Sequence, residues 1–415
     1  MHKILKTSFL VVISFLLFIS NTSLNASLSF ETNSQKEMEL LKSFDINPSF
    51  LNDHVLIRIK SKKLEKYKKE RFFKAMDEAY LYIPMIKQLL SESEVPVEFL
   101  FLAMAESNFS TRAFSRKKAS GLWQFMPYTG KRYGLKINEY VDERRDLVKS
   151  TKAAITYLTV LHKRFGKWYL AALAYNCGEG RVQKAIKRAG SDDLDVLLDP
   201  KKRYLPRESR FYIRKIIALA LIGSDESFLI DSEYDYLLNR ANAYSIVTVS
   251  VQAGESLSRI SKILEIPEYD LIKLNRHLNY KFTPPYSNKY DIYIPYIKLS
   301  EFKKNYRPGD MSKIYVVHKV KRGDNLSKLG QRYHISYKVI KDVNNLKSNT
   351  LHLRQKLIIP IPKGSYYAIE IHKVRSGDTL GGIAKRYKVT IADIKRLNKI
   401  SGNIIRIGDK LTIHD

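Results

Sequence analysis

An internal repeat in the C-terminal part of this 415-residue chain limits its folding most strongly. Gly254-Glu255-Ser256-Leu257, Gly323-Asp324-Asn325-Leu326 and Gly377-Asp378-Thr379-Leu380 share one pattern. An Asn follows each Gly at the same offset of 21 residues, as Asn275, Asn344 and Asn398. A β-rich run precedes each turn (Ser245–Val251, Ile314–Val320, Ile369–Val374). A second apolar run closes each copy (Tyr290–Pro295, Leu357–Pro360, Lys410–His414). Fixed offsets of this kind mark a repeated supersecondary unit. Each copy is predicted to form a strand–helix–helix–strand unit. The Gly-acid pair turns the chain out of the first strand, and Ser256, Asn325 and Thr379 cap the helix that follows. The first copy diverges, with four extra residues before its closing strand and Pro284 and Pro285 nearby. Units this small bury too little for chemistry of their own and suit binding.

Upstream the texture is helical. From Phe72 to Ile222 apolar residues recur at three and four, as in Tyr80, Ile83, Ile86, Leu89 and Leu90. Ser150 is expected to cap one helix, and Gly166 and Gly223 to end two others. The helix starting near Pro96 reads apolar from Phe99 to Ala105, so it should be buried on all sides. Glu106 closes that run, followed by Ser107 and Asn108, which suit a helix end. A carboxyl at the rim of such a stretch resists ionisation, stays protonated near neutral pH and can serve as a general acid.

The N-terminus bears on compartment. Lys3 and Lys6 precede an apolar run from Phe9 to Ile19, and small and polar residues follow to Ser29, with Ala26 before a plausible cleavage point. This is the layout of a secretory signal peptide (1–26). The run is shorter than the about 20 residues of a membrane span; an uncut anchor is the alternative. The chain has one cysteine, Cys177, far from this segment, so no lipid attachment site is expected. That count also excludes an internal disulfide framework. Cys177 reads as buried and inert, and the nine His show no metal-like spacing, so neither metal nor cofactor is expected. The net charge of +30 points to a polyanionic partner. Residues 245–415 hold 32 basic and 14 acidic residues, so the excess is densest in the repeats. Export argues for a wall polymer or an anionic membrane surface, and against nucleic acid.

Four blocks surround Glu106 in the chain: AESNF (105–109), GLWQFMPYTGKRYGL (121–135), AALAYNCGEGRV (171–182) and YLPRESRFYI (204–213). In order and spacing they resemble the lytic transglycosylases with a goose-lysozyme-like fold. The repeats resemble LysM domains, the modules that bind peptidoglycan and chitin. Together they resemble the D-type murein transglycosylases with C-terminal LysM repeats. The resemblance implies an α+β multidomain protein: an all-α lysozyme-like catalytic domain followed by three small βααβ LysM modules. The expected boundaries are a helical extension at 27–74, the catalytic domain at 75–230, and repeats at 245–295, 315–361 and 370–415.

The same resemblance implies residue roles. Glu106 would be the catalytic acid. Ser107, Gln124, Met126, Tyr175, Asn176 and Glu208 would line the sugar cleft, with Tyr212 one helical turn beyond Glu208. Trp123 and Phe125 read as packing. Glycan contacts in the repeats would fall at Gly323, Asp324, Asn325 and Leu326, and at Gly377, Asp378, Thr379 and Leu380. The implied partner is the peptidoglycan glycan strand, whose muramic acid carries lactyl-peptide carboxylates. The implied reaction is cleavage between N-acetylmuramic acid and N-acetylglucosamine with closure of a 1,6-anhydro ring. A hydrolytic muramidase on the same fold and a non-catalytic wall-binding morphogenesis protein remain open alternatives.

Overall fold

The computed structural model describes residues 34–64, 66–225, 246–285, 289–308, 313–362, 371–387, 389–398 and 400–413. The expected signal peptide (1–26) lies outside them, as do Ser245, Ile369 and His414, where three strand ends were expected. No described helix is long and apolar enough to cross a membrane. The described residues fall into two units, drawn from 1–137 with 142–245 and from 138–141 with 246–415.

The first unit is helical. Helices α1 (34–43), α2 (His54–Leu64) and α3 (Lys66–Glu78) form the N-terminal part. They lead into α4 (Ile83–Ser91) and α5 (Leu100–Ser107). The pieces α6 (Pro127–Arg132), α7 (Leu147–Phe165), α8 (Trp168–Cys177), α9 (Glu179–Ala189), α10 (Leu194–Leu197) and α11 (Arg207–Ser224) follow. Leu100 to Ala105 are all buried, as the unbroken apolar run requires. Each buried Leu or Phe there contributes about 2 kcal/mol. Packed around α5 are α4 and α11, and α11 in turn meets α2 and α8. An ion pair fastens α11 to the start of α2: Arg214 donates to both carboxylate oxygens of Asp53, at 3.0 and 2.7 Å. Burial raises the Asp53 pKa, but the Arg214 contacts and the Leu56 amide outweigh it and hold the carboxyl below its usual value.

Two helix ends differ from expectation. Ser150 lies inside α7 and is buried, while Asp146 caps the helix by accepting from Val148 and Lys149. The carboxylate takes two free amides where a hydroxyl takes one. Gly223 does not end α11, which runs to Ser224. The glycine serves a close approach instead, because a Cβ there would sit 2.3 Å from the Phe101 ring. Gly166 does end α7, at φ 73°.

The second unit holds three antiparallel strand pairs. β1 (Ile246–Gln252) pairs with β2 (Lys289–Pro295), in register from Ile246↔Pro295 to Gln252↔Lys289. Helices α12 (Leu257–Leu264) and α13 (Glu268–Leu274) lie between them in sequence. An added helix, α14 (Leu299–Asn305), was not foreseen; Phe302 on it and the following Tyr306 join the first module's core. The second module is β3 (Lys313–Lys319), α15 (Leu326–Arg332), α16 (Tyr337–Val343) and β4 (Lys356–Pro362). The third is β5 (Ile371–Lys373), α17 (Leu380–Tyr387), α18 (Ile391–Asn398) and β6 (Lys410–Thr412).

The late Asn of the first two copies is a clamp. Asn275 Nδ2 donates to the Leu271 and Tyr293 carbonyls, and its Oδ1 accepts from Tyr293 N at 2.8 Å. Asn344 repeats all three bonds, to Ile340 and Ile358. The amide thus ties the second helix to the closing strand, a task that needs a donor and an acceptor on one short side chain. Modules two and three share a further device. His318 meets Asp324 at 2.8 Å and Tyr333 at 2.9 Å; His372 meets Asp378 at 2.6 Å and Tyr387 at 3.1 Å. Module one has Val249, Glu255 and Leu264 at these places.

Candidate active site

Glu106 sits in the last turn of α5, which ends at Asn108 in the left-handed conformation (φ 50°). The Tyr212 hydroxyl, from α11, donates to Glu106 Oε1 at 2.5 Å. Lys215, one turn further along α11, donates to the Ala105 carbonyl. Burial pushes the Glu106 carboxyl up. The Tyr212 bond and the Lys215 charge pull it back, and the charge of Glu208 adds to the rise. The net effect is upward, as the apolar run implied. Burial, with the Glu106 charge nearby, also holds the phenols of Tyr212 and Tyr175 well above their ordinary value. Both therefore stay protonated donors near neutral pH.

The 121–126 loop is tied down from two sides. Ser107 Oγ donates to the Leu122 carbonyl at 2.8 Å, and Tyr175 Oη to the Trp123 carbonyl at 2.7 Å. Trp123 is fully buried, and its indole N–H meets Thr151 Oγ1 at 3.0 Å. Gly121 has φ 80°, and a Cβ there would fall 1.9 Å from the Arg144 carbonyl oxygen. Gln124 also has positive φ, at 48°, and its amide donates back to the Gly121 carbonyl at 2.7 Å. Met126 is 41 % exposed at the N-cap of α6.

The structure brings Glu106, Ser107, Tyr175 and Asn176 together with the loop of Gln124. Asn176 Oδ1 accepts from Ser209 Oγ at 2.8 Å, which joins α8 to α11. Glu208 lies exposed in the first turn of α11 and reaches Glu106 through its charge. Cys177 is half-buried rather than buried, and burial raises its pKa, so its thiol stays protonated. Sequence reasoning missed a row of rings: Tyr133 to Tyr157 at 4.8 Å, Tyr157 to Tyr175 at 5.2 Å, and Tyr175 to Phe125 at 6.2 Å. It also missed Ser209 and the direct Tyr212 contact. Tyr212 was visible as one helical turn beyond Glu208, but its partner was not.

The eight turn residues of the repeats hold their own framework. Gly323 and Gly377 take φ 89° and 83°. Leu326 and Leu380 are core residues. Asp324 and Asp378 accept from the backbone N–H of Lys321 and Arg375 as well as facing their His. Asn325 and Thr379 cap their helices, as expected. Ser256 in module one makes no side-chain cap.

The family described as Transglycosylase SLT domain matches residues 84–197. The family described as LysM domain matches 318–360 and 372–414, and the one described as Lytic transglycosylase MltD, LysM-like domain matches 245–310. Membrane-bound lytic murein transglycosylase D of Escherichia coli (strain K12) is 29% identical over 357 residues, covering 81% of this chain and 76% of that protein. The N-acetylmuramoyl-L-alanine amidase sle1 of Staphylococcus saprophyticus is 36% identical over 101 residues, covering 23% of this chain and 31% of that protein. Among solved structures, the 70 kDa soluble lytic transglycosylase from Escherichia coli aligns with TM-score 0.29 and 22% identity, over 36% of this chain and 24% of that one. The chain is thus a lytic transglycosylase of the SLT-domain kind, similar in its domain order to the D-type murein enzymes.

Proposed function

We propose that this enzyme cleaves the β-1,4 bond between N-acetylmuramic acid and N-acetylglucosamine in peptidoglycan and leaves a 1,6-anhydro end on the muramic acid. The observation that carries this is the half-buried Glu106 carboxyl, raised in pKa and held by the Tyr212 hydroxyl. Protonated Glu106 gives its proton to the glycosidic oxygen as the C1–O bond breaks. The 2-acetamido group supports the positive charge that develops at C1. Ionised Glu106 then takes the proton of the same sugar's C6 hydroxyl, whose oxygen bonds to C1. Attack within one ring gains from proximity, and no water is consumed. The Tyr212 hydroxyl steadies the carboxylate between the two transfers. Gln124, Met126, Tyr175, Asn176 and Glu208 line the sugar cleft. The repeats hold the enzyme to glycan strands in the cell envelope, on the periplasmic side, after export by the 1–26 segment. Their positive charge adds salt-sensitive retention at the wall or at nearby anionic membrane.

Hydrolysis on the same fold has one observation in its favour, the electrostatic reach of Glu208 to Glu106. Mass spectrometry of products from murein sacculi separates the two. Anhydro-muropeptides support the proposal, and reducing-end muramic acid overturns it in favour of a muramidase. Bound but undigested sacculi would mean a non-catalytic wall protein.

A further inference from the structure

Six cationic side chains converge on one groove of the first unit, of about 600 Å³. Helix α9 presents Arg181, Lys184 and Arg188, spaced so as to share one face. Arg203 comes from the loop before α11, and Arg207 and Arg210 from its first turn. The Arg188 guanidinium lies 5.9 Å from the centre of the Tyr204 ring, another wall of the groove. Other cations of the unit are paired: Arg144 with Asp142, Lys149 with Glu143, Arg164 with Glu179 and Arg214 with Asp53. None of the six groove cations has an ion-pair partner among the described residues, and Arg210 Nε is buried with no partner. Like charges gathered without counter-ions repel one another and favour an anionic occupant. Guanidinium groups suit planar carboxylates, which they hold by paired hydrogen bonds.

We propose that this groove binds the carboxylates of the peptide stem carried by muramic acid on the strand being cleaved. The proposal rests on the peptidoglycan reading above. Continuity with the site favours the stem. Helix α9 begins just after Asn176, and α11 carries Arg207 and Arg210 in the turns leading to Tyr212, whose hydroxyl meets Glu106. At 1.5 Å and a little over a quarter-turn per residue, Arg207 lies about 8 Å along the α11 axis from Tyr212 and about 140° around it, so the stem would pass around the first turns of α11. An extended tetrapeptide spans about 13 Å, so a stem hanging from a bound sugar has the reach. The concave shape also argues for a short branched chain, since a membrane surface asks for a flat or protruding face.

The test compares the full-length chain with a variant carrying Arg181→Gln, Arg188→Gln and Arg207→Gln. Release of soluble product is followed on intact sacculi and on glycan strands stripped of their peptides by an amidase. Binding of the free stem tetrapeptide is measured by calorimetry, and retention on vesicles with and without anionic lipid by sedimentation. The proposal expects the variant's KM on peptide-bearing strands to rise about tenfold, with the rate on stripped strands kept and tetrapeptide binding lost. Equal loss on both substrates, no change on either, or a change confined to anionic vesicles overturns it. If the unmodified chain digests neither substrate, the peptidoglycan-cleaving reading has failed, and tetrapeptide binding still decides whether the groove takes the stem.

Discussion

The Tyr212 hydroxyl donates to Glu106 Oε1 at 2.5 Å, from a helix 106 residues further along the chain. Burial and this bond act on the carboxyl in opposite senses, burial raising its pKa and the bond lowering it. In Tyr212→Phe the lowering bond is gone, and burial is opposed only by the Lys215 charge. In the proposed reaction Glu106 must be protonated in the free enzyme, so the alkaline limb of kcat/KM against pH should move to higher pH. The carboxyl also loses its anchor, and kcat should fall by about tenfold. A limb that moves down, or stays where it was, would contradict the role given to Tyr212.

Replacement of Glu106 by Gln removes the proposed proton donor and keeps the shape. Activity on sacculi should fall by about three orders of magnitude. The melting temperature should hold or rise, since an amide escapes the cost of burying a charge. A variant that still cleared murein in a zymogram would remove Glu106 from the chemistry.

Gly121 supports the cleft loop through its backbone alone. In Gly121→Ala the new Cβ would collide with the Arg144 carbonyl at 1.9 Å, at a φ of 80° that L residues rarely take. The substitution should cost at least about 2 kcal/mol in urea unfolding, and activity should fall with it as Gln124 shifts. Full stability in the variant would mean that the loop is not held as described.

The second module should be sensitive to acid. Burial raises the Asp324 pKa, but the Lys321 amide and His318 outweigh it, so the carboxyl sits below its usual value. A carboxyl lowered in the folded state adds stability above its unfolded pKa, about 3.9, and that stability drains away as pH falls through the lower folded value. Hydrogen exchange over Ile314–Ile361 should therefore quicken below about pH 4. Asp324→Asn should quicken it already at pH 7 and flatten the acid response. Equal protection in both proteins at pH 7 would refute the coupling.

Much of this was legible in the chain. Period and turn chemistry gave the three strand pairs, because the Gly-acid turn and its Asn are local signals. The apolar run of Phe99–Ala105 gave the buried helix and the raised acid, since burial of both follows from one pattern. The Tyr212–Glu106 and Tyr157–Tyr175 contacts were hidden, because each joins two separate helices and no spacing rule within one helix reaches across them. Ser150 and Gly223 misled because local propensity yielded to tertiary need: Asp146 made the better cap, and Phe101 needed the room at Gly223. The His–Asp–Tyr sets could have been found. Each lies five residues before, one after and ten after the turn Gly in both later copies.

The strand pairs close over short stretches: Ile246 meets Pro295, Lys313 meets Pro362, and Ile371 meets Thr412. Each copy therefore completes its hydrogen-bonded circuit without borrowing a strand from another. Such low contact order favours fast, separate folding of each stretch. It also makes the array modular in descent, since a copy can be gained or lost by duplication and deletion without unpicking another copy's sheet. Module one, with its altered Val249, Glu255 and Leu264 and its added helix, has used that independence to diverge while the other two kept one design.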